Sequence, residues 1–256
     1  MQNNIFSGLF VGQNLVTLKE VDSTNNFLKE SLSNSKPFPE GTVIMAEHQY
    51  AGRGQHQNVW HAQPGKNLTF SLLLMPHFLS PLQQFGLTSA VSLGVYDALH
   101  PLLGDALKIK WPNDIYYGNR KLGGMLIENM IQGGQIRNSV IGIGINVNQD
   151  NYPETAGSAI SVKQILQTDY DLKNILAEIC NHIEGWYLKL KAGKTADVRN
   201  TYLSRLYRLN ELAQYRSNGE TFEGRITNVT DTGLLVVERN GSEELYNLKE
   251  IEFINT

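Results

Sequence analysis

The chain has 256 residues, 22 Lys+Arg against 25 Asp+Glu, 41% hydrophobic residues and 23 glycines. That length and apolar fraction suit one large domain, or a domain of about 200 residues with a small module, and exclude wholesale disorder. A net charge of −3 argues against a dedicated nucleic-acid binder but leaves room for a local basic pocket.

Leu15 to Val21 reads as a short strand, followed by cap residues Asp22-Ser23-Thr24 and a helix with Phe27, Leu28 and Leu32 on its apolar side. Lys36 to Gly41 is a Pro-containing turn, and Thr42 to Glu47 a β-branched strand. A polar, Gly-bearing loop runs from His48 to Lys66, then a strand from Asn67 to Leu74. Leu87, Val91, Val95, Ala98 and Leu102 give Pro81 to Leu103 helical spacing. Lys108 to Trp111 is a strand ending at Pro112. Ile115 to Tyr117 and Leu122 to Met130 flank a hairpin signal at Gly118-Asn119, and Ile136 to Val147 follows the Gly133-Gly134 turn. Ile175, Ile179, Ile183, Trp186 and Leu190 mark a long helix in which Cys180 packs, and Val198, Tyr202 and Leu206 a last short one.

After Leu209 the texture changes to short strands at Thr221 to Val229, Leu234 to Val237 and Tyr246 to Phe253. Turns at Asn218-Gly219, Thr232-Gly233 and Asn240-Gly241 separate them. This suits a small β-barrel appended to an α+β domain. The lone Cys180 excludes an internal disulfide or a CxxC site. Met1-Gln2-Asn3-Asn4 lacks a signal-peptide start, and apolar runs such as Leu72 to Met75 are too short to span a bilayer. The three Asn-X-Ser/Thr matches (Asn67, Asn228, Asn240) therefore read as chance. A soluble, cytoplasmic protein without a membrane partner is expected.

Three clusters could carry chemistry. No Asp or Glu occurs between Glu47 and Asp97, whereas Arg53 stands between Gly52 and Gly54, followed by Trp60 and Lys66. Glycine-flanked backbone can approach an anion, and arginine adds a bidentate cation; the alternative is a surface loop with an incidental arginine. Lys108, Lys110, Arg120 and Lys121 accompany a single acid, Asp114, across Lys108 to Lys121. Asp114 could hold a metal or a ribose hydroxyl, and Lys121 before Gly123-Gly124 a phosphate; a charged hairpin fits equally. In Gly142-Ile143-Gly144-Ile145-Asn146, alternating glycines leave one strand face bare, for a flat ligand or for a packed helix. Together these suit an anionic ligand with a flat ring, such as a nucleotide, stacked on Trp60 or Trp111.

Other sites fail on their spacing. Gly193-Lys194-Thr195 lacks the earlier glycine of a phosphate loop, which is Leu188, and Gly142-Ile143-Gly144 lacks the third glycine of a dinucleotide fingerprint. His48, His56 and His61 show no metal-site spacing, and no Gly-x-Ser-x-Gly elbow occurs.

Five stretches in order identify a family resemblance over about residues 20 to 150. They are Ser23-Thr24-Asn25; Glu47 to Gly54 with Trp60; Lys110-Trp111-Pro112-Asn113-Asp114; Arg120-Lys121-Leu122-Gly123-Gly124 with Glu128; and Gly142 to Asn146. In these the chain resembles the biotin–protein ligases (biotin–[acetyl-CoA-carboxylase] ligases), in the monofunctional form without a DNA-binding domain. The resemblance implies a mixed-sheet catalytic domain related to class II aminoacyl-tRNA synthetases over residues 1–207, and an SH3-like barrel over 208–256. It implies an ATP- and Mg2+-dependent enzyme that forms biotinyl-5′-AMP and passes biotin to a lysine of a biotin carboxyl carrier protein domain. It allows a homodimer.

By the family pattern, Lys121 bridges carboxylate and α-phosphate, and Arg53 with its glycine loop closes over the intermediate. Ser23, Thr24, Asn25, Gln49, Gly54, Gln55, Gly124 and Gly142 belong on the biotin side. Trp60 and Asn146 meet the adenine, with Lys110, Asn113 and Asp114 near the phosphates and Asp114 a candidate for Mg2+. The chain departs from the pattern at Gln55-His56-Gln57-Asn58, where the family commonly continues with Arg and Gly. The first matched motif begins at Asp22, which leaves too few residues for a helix-turn-helix and points away from a repressor role and from DNA. The rivals are a lipoate–protein ligase, of the same fold and logic, and a non-enzymatic biotin or nucleotide sensor.

Overall fold

The computed structural model describes residues 6–33, 37–55 and 58–254; the expectations for Met1 to Asn4, Lys36, His56 and Gln57 fall outside them. The elements run β1 (Leu15–Val21), α1 (Thr24–Ser31), β2 (Val43–Gln49), β3 (Leu68–Leu74), α2 (Gln84–Leu103), β4 (Leu107–Lys110), β5 (Asp114–Tyr117), β6 (Arg120–Gln132) and β7 (Gln135–Ile145). Then follow α3 (Val162–Leu166), α4 (Leu172–Lys191), α5 (Thr195–Ser204), β8 (Leu212–Ser217), β9 (Glu220–Val229), β10 (Leu235–Arg239), β11 (Ser242–Tyr246) and β12 (Glu252–Phe253). The architecture is α+β around a mixed seven-stranded sheet, ordered β1-β2-β3-β7-β6-β5-β4, in which only β1 and β2 pair in parallel.

Side chains of a strand alternate between faces, so β3 explains how the sheet is covered. Leu68, Phe70, Leu72 and Leu74 join α2 and α4 in the main core, through Leu87, Val91, Val95, Ile179 and Ile183. Leu73 faces the other way, with Ile44, Val140 and Leu28 of α1 in a small second cluster. Thr69 and Ser71 share this second face. Strand β7 repeats the arrangement: Ile141, Ile143 and Ile145 enter the main core, while Gly142 and Gly144 fall on the face of Val140. Burial on both faces makes every residue of β3 buried, although two of its seven are polar. Cys180 is fully buried in α4, and burial pushes its thiol pKa up, so it packs rather than reacts.

The last five strands form an antiparallel sheet ordered β11-β10-β9-β8-β12. It sits against the β4–β5 end of the large sheet. Trp111 Nε1–H donates to Gly233 O at 2.9 Å, while Tyr202 of α5 holds the neighbouring Pro112 O at 3.1 Å. Gly233 has φ +94°, and a Cβ there would lie 2.6 Å from the Phe85 ring, so this contact requires glycine twice over.

Four features differ from the sequence reading. Tyr246 to Phe253 is not one strand: β11 starts earlier and ends at Tyr246, Lys249 takes φ 73°, Asn247 N–H donates to Glu250 Oε2 at 2.6 Å, and only Glu252–Phe253 pairs with β8. Strand β8 and the five-residue α3 were unread. So was the start of the chain, where Glu184 of α4 accepts the N–H groups of Leu9, Phe10 and Val11 at 2.6, 2.8 and 2.8 Å. Among the described residues no helix is long and apolar enough to cross a membrane.

Candidate active site

A cavity of about 420 Å³ opens on the second face of the large sheet, between α1 and the small C-terminal sheet. Thr69, Gly124, Gly142 and Gly144 contribute to its floor. The alternating glycines do not leave bare strand here. A Cβ on Gly142 would lie 2.5 Å from Asn25 Oδ1, and one on Gly144 would collide with the Trp60 indole. One on Gly124 would lie 2.7 Å from Asp114 Oδ1. Each glycine therefore admits a polar or aromatic side chain, and those side chains form the wall a ligand would meet.

At the α1 end the polar groups are tied to one another. Gln49 Oε1 accepts from the Thr24 backbone N–H at 2.8 Å and from Thr24 Oγ1 at 3.0 Å. Ser71 Oγ lies 2.7 Å from Thr24 Oγ1 and 2.5 Å from Asn25 Oδ1. Ser23 is the N-cap of α1, yet its side chain makes no capping bond and lines the cavity instead. Such interlocked amide and hydroxyl groups can recognise a flat, uncharged polar ring in a fixed orientation.

Cations line the remainder. Lys121 of β6 stands 2.7 Å from Asp114 of β5, and Arg53 2.7 Å from Glu128. Arg53 belongs to a tight hairpin: it bridges Val59, Gly54 N–H donates to Asn58 O at 2.7 Å, and Trp60 N–H to Gly52 O at 2.9 Å. Lys110 lies between two rings, with Nζ 4.6 Å from the Tyr116 centroid and 4.8 Å from that of Phe253, and it donates to Tyr116 Oη at 3.1 Å. Burial lowers the Lys110 pKa to about 8. Asn113 Nδ2 donates to Met125 O. The indole N–H of Trp60 is buried without a partner among the described residues, a donor available to a ligand.

The structure thus brings Ser23, Thr24, Asn25, Gln49, Arg53, Gly54, Gln55, Trp60, Lys110, Asn113, Asp114, Lys121, Gly124 and Gly142 to one cavity. Asn146 stands apart, buried behind the wall, where its side-chain amide donates to Lys121 O at 3.4 Å. Sequence reasoning missed Leu248, Ile251, Glu252 and Phe253, which reach the cavity from the small sheet, and gave Glu128 no role. The polar positions Thr69 and Ser71 inside an otherwise apolar strand were the signal for the floor. Of the loop histidines, His48 Nδ1 pairs with Glu20 at 2.9 Å and His61 Nε2 lies 3.4 Å from Thr155 Oγ1. Among the described residues no group of three or more His, Cys, Asp or Glu could hold a metal ion.

A cavity with interlocked amides at one end, three cations and an unpaired indole donor suits a ligand with a polar ring, an anionic centre and a stacking base. Comparison with known proteins agrees. Residues 17–146 match the Biotin/lipoate A/B protein ligase family. A bifunctional ligase/repressor from Bacillus spizizenii is 31% identical over 241 residues, 92% of this chain and 73% of that protein. A biotin–[acetyl-CoA-carboxylase] ligase from Paracoccus denitrificans is 27% identical over 242 residues, 92% of this chain and 99% of that one. The structure of a biotin protein ligase from Aquifex aeolicus in complex with biotin and ATP superimposes with a TM-score of 0.79 at 27% identity, covering 95% of this chain and 100% of that chain. On these matches and this cavity, the chain belongs to the biotin/lipoate A/B protein ligase family.

Proposed function

We propose that the chain is an ATP-dependent biotin–protein ligase. Biotin's carboxylate oxygen attacks the α-phosphorus of ATP, the bond from that phosphorus to the bridging oxygen breaks, and pyrophosphate leaves. The amine of a lysine on a biotin carboxyl carrier domain then attacks the acyl carbon of biotinyl-5′-AMP, releasing AMP and a proton. One observation carries this reading: Lys121 and Arg53, from separate elements, line the same cavity as the Thr24, Asn25 and Gln49 network. Two anions must meet in the first step, and cations placed in advance offset their repulsion.

In this reading the Thr24–Gln49 end holds the ureido ring, Trp60 meets the adenine and Lys121 stands at the junction of carboxylate and phosphate. Lys110 and Asn113 lie on the polyphosphate side. Mg2+ commonly takes one or two carboxylates and completes its shell with phosphate oxygens and water, so Asp114, beside Lys121, would be the side chain to hold it. When bound, it would neutralise the leaving pyrophosphate. Catalysis then rests on positioning and electrostatics, without a protein nucleophile. Residues 1–207 form the catalytic domain, of class II aminoacyl-tRNA synthetase type. Residues 208–256 form an SH3-like module, and the protein works in the cytoplasm.

ATP–pyrophosphate exchange with biotin, lipoate, octanoate or no acid tests the proposal. Exchange that requires biotin supports it. Exchange with lipoate keeps the mechanism and overturns the substrate; none with any acid, from folded protein, overturns the enzyme.

A further inference from the structure

Glu128 lies on β6 behind the cavity, with a quarter of its side chain exposed (26%), and takes three donors from two other elements. Asn25 Nδ2 reaches Oε2 at 2.8 Å and Lys29 Nζ reaches Oε1 at 2.7 Å, both from α1. Arg53 Nη2, from the Gly52–Trp60 hairpin, reaches Oε2 at 2.7 Å. Burial opposes the charge on Glu128, but bonds from Lys29 and Asn25 and the Arg53 charge outweigh it and hold the carboxyl below the usual carboxylate range. Among the described residues, backbone bonds from Gly54 to Asn58, Asn58 to Gln55 and Trp60 to Gly52 give the hairpin its shape. This ion pair ties the Arg53 leg of the hairpin to the sheet, while the Trp60 leg rests on Gly144.

We infer that Glu128 is a positioning residue that acts through Arg53: it holds the Gly52–Gly54 leg, paired with Asn58–Trp60, beside the cavity and ties that leg to α1. The inference rests on the proposed ligase reading and deepens it. Oε2 serves Asn25 and Arg53 together, so a ligand that displaces Asn25 is felt by the hairpin. An acyl adenylate needs a closed site, because water reaching the anhydride destroys it. A guanidinium held on a carboxylate keeps the hairpin closed at less entropic cost than a free side chain would.

The test forms biotinyl-5′-AMP on the enzyme from biotin and ATP, then follows its loss after a chase. Wild type, Glu128→Gln, Arg53→Gln, the double variant and Lys29→Gln are compared. Glu128→Gln and Arg53→Gln are each expected to speed loss by about fivefold, the scale of a partly exposed charge-assisted pair. The double variant should be no faster than Arg53→Gln alone, and Lys29→Gln should change loss by less than about twofold. Unchanged loss in Glu128→Gln overturns the inference, and so does a double variant whose effect is the product of the singles. Should Glu128→Gln fold poorly, Glu128→Asp keeps the charge but draws it back from Arg53 and Lys29 alike, and with Lys29→Gln as the control the same outcomes are expected. Failure of wild type to form adenylate would count against the ligase reading instead, and is read separately.

Discussion

Lys121 Nζ and Asp114 Oδ1 stand 2.7 Å apart across the β5–β6 pairing, at the glycine step where Asp114 faces Gly124. The amine is thereby fixed beside the cavity, with a third of the lysine side chain still exposed to an incoming anion. Lys121→Ala removes the cation that meets the developing charge. Adenylate formation is expected to fall by about 10²- to 10³-fold, the cost of losing one oriented charge donor. The ion pair is partly exposed, so the melting temperature should move little. Pyrophosphate exchange and a thermal melt on the same preparation check both statements, and wild-type exchange would refute the role of Lys121.

Gly142 explains why the site tolerates so little change in its floor. A methyl there would lie 2.5 Å from Asn25 Oδ1, and Asn25 is held by Ser71 and Glu128 and cannot withdraw freely. Gly142→Ala should therefore displace α1, costing about 1–3 kcal/mol as overpacking does, and weaken biotin binding more than ATP binding. Calorimetric titration of each ligand distinguishes this from general destabilisation, which would weaken both alike.

Much of this was legible in the sequence, and the reason differs by element. Strands β1, β3 and β7 and helices α2 and α4 announce themselves because their apolar residues keep the period of the structure that buries them. The cationic cluster was legible because Lys110, Asp114 and Lys121 lie on adjacent strands of one meander, where sequence neighbours become spatial neighbours. Glu128 was visible only as part of a motif, since its three partners come from α1 and the Arg53 hairpin, far off in the chain. Leu248 to Phe253 could not be placed from sequence. They reach the cavity because the small sheet docks through Gly233 onto Phe85 and Trp111, contacts between residues more than a hundred positions apart. The Glu184 anchor of Leu9 to Val11 is irregular backbone held by a side chain, and no periodicity marks it.

Lys110 should give the reaction a pH dependence. With its pKa lowered to about 8, the folded protein carries this charge below pH 8 and loses it above. ATP affinity is therefore expected to fall as pH rises through about 8. Lys110→Arg, which stays charged, should keep its affinity at higher pH, whereas Lys110→Met should bind weakly throughout and lose the inflection. The sign for stability runs the other way. The unfolded chain holds this proton to about 10.5, so it binds more protons than the folded one between 8 and 10.5, and this residue makes the fold more stable as pH rises there. An unchanged inflection in Lys110→Met would assign the titration to another group.

Gln55 lines the cavity directly after Gly54, where the resemblance leads one to expect a further arginine. The hairpin of this chain thus presents one guanidinium, Arg53, and that guanidinium is already paired with Glu128. An adenylate anion should be held less firmly than under a more cationic loop. Gln55→Arg adds a charge at an accessible position, and such pairs contribute about 0.2–1 kcal/mol. Adenylate dissociation should therefore slow by about 1.4- to fivefold at low salt, and the gain should shrink as ionic strength rises, because exposed charges are screened. Dissociation rates of wild type and Gln55→Arg at two salt concentrations decide the matter. An off-rate that does not change means that Arg53 already saturates the interaction, and that the hairpin retains its ligand by shape rather than by charge.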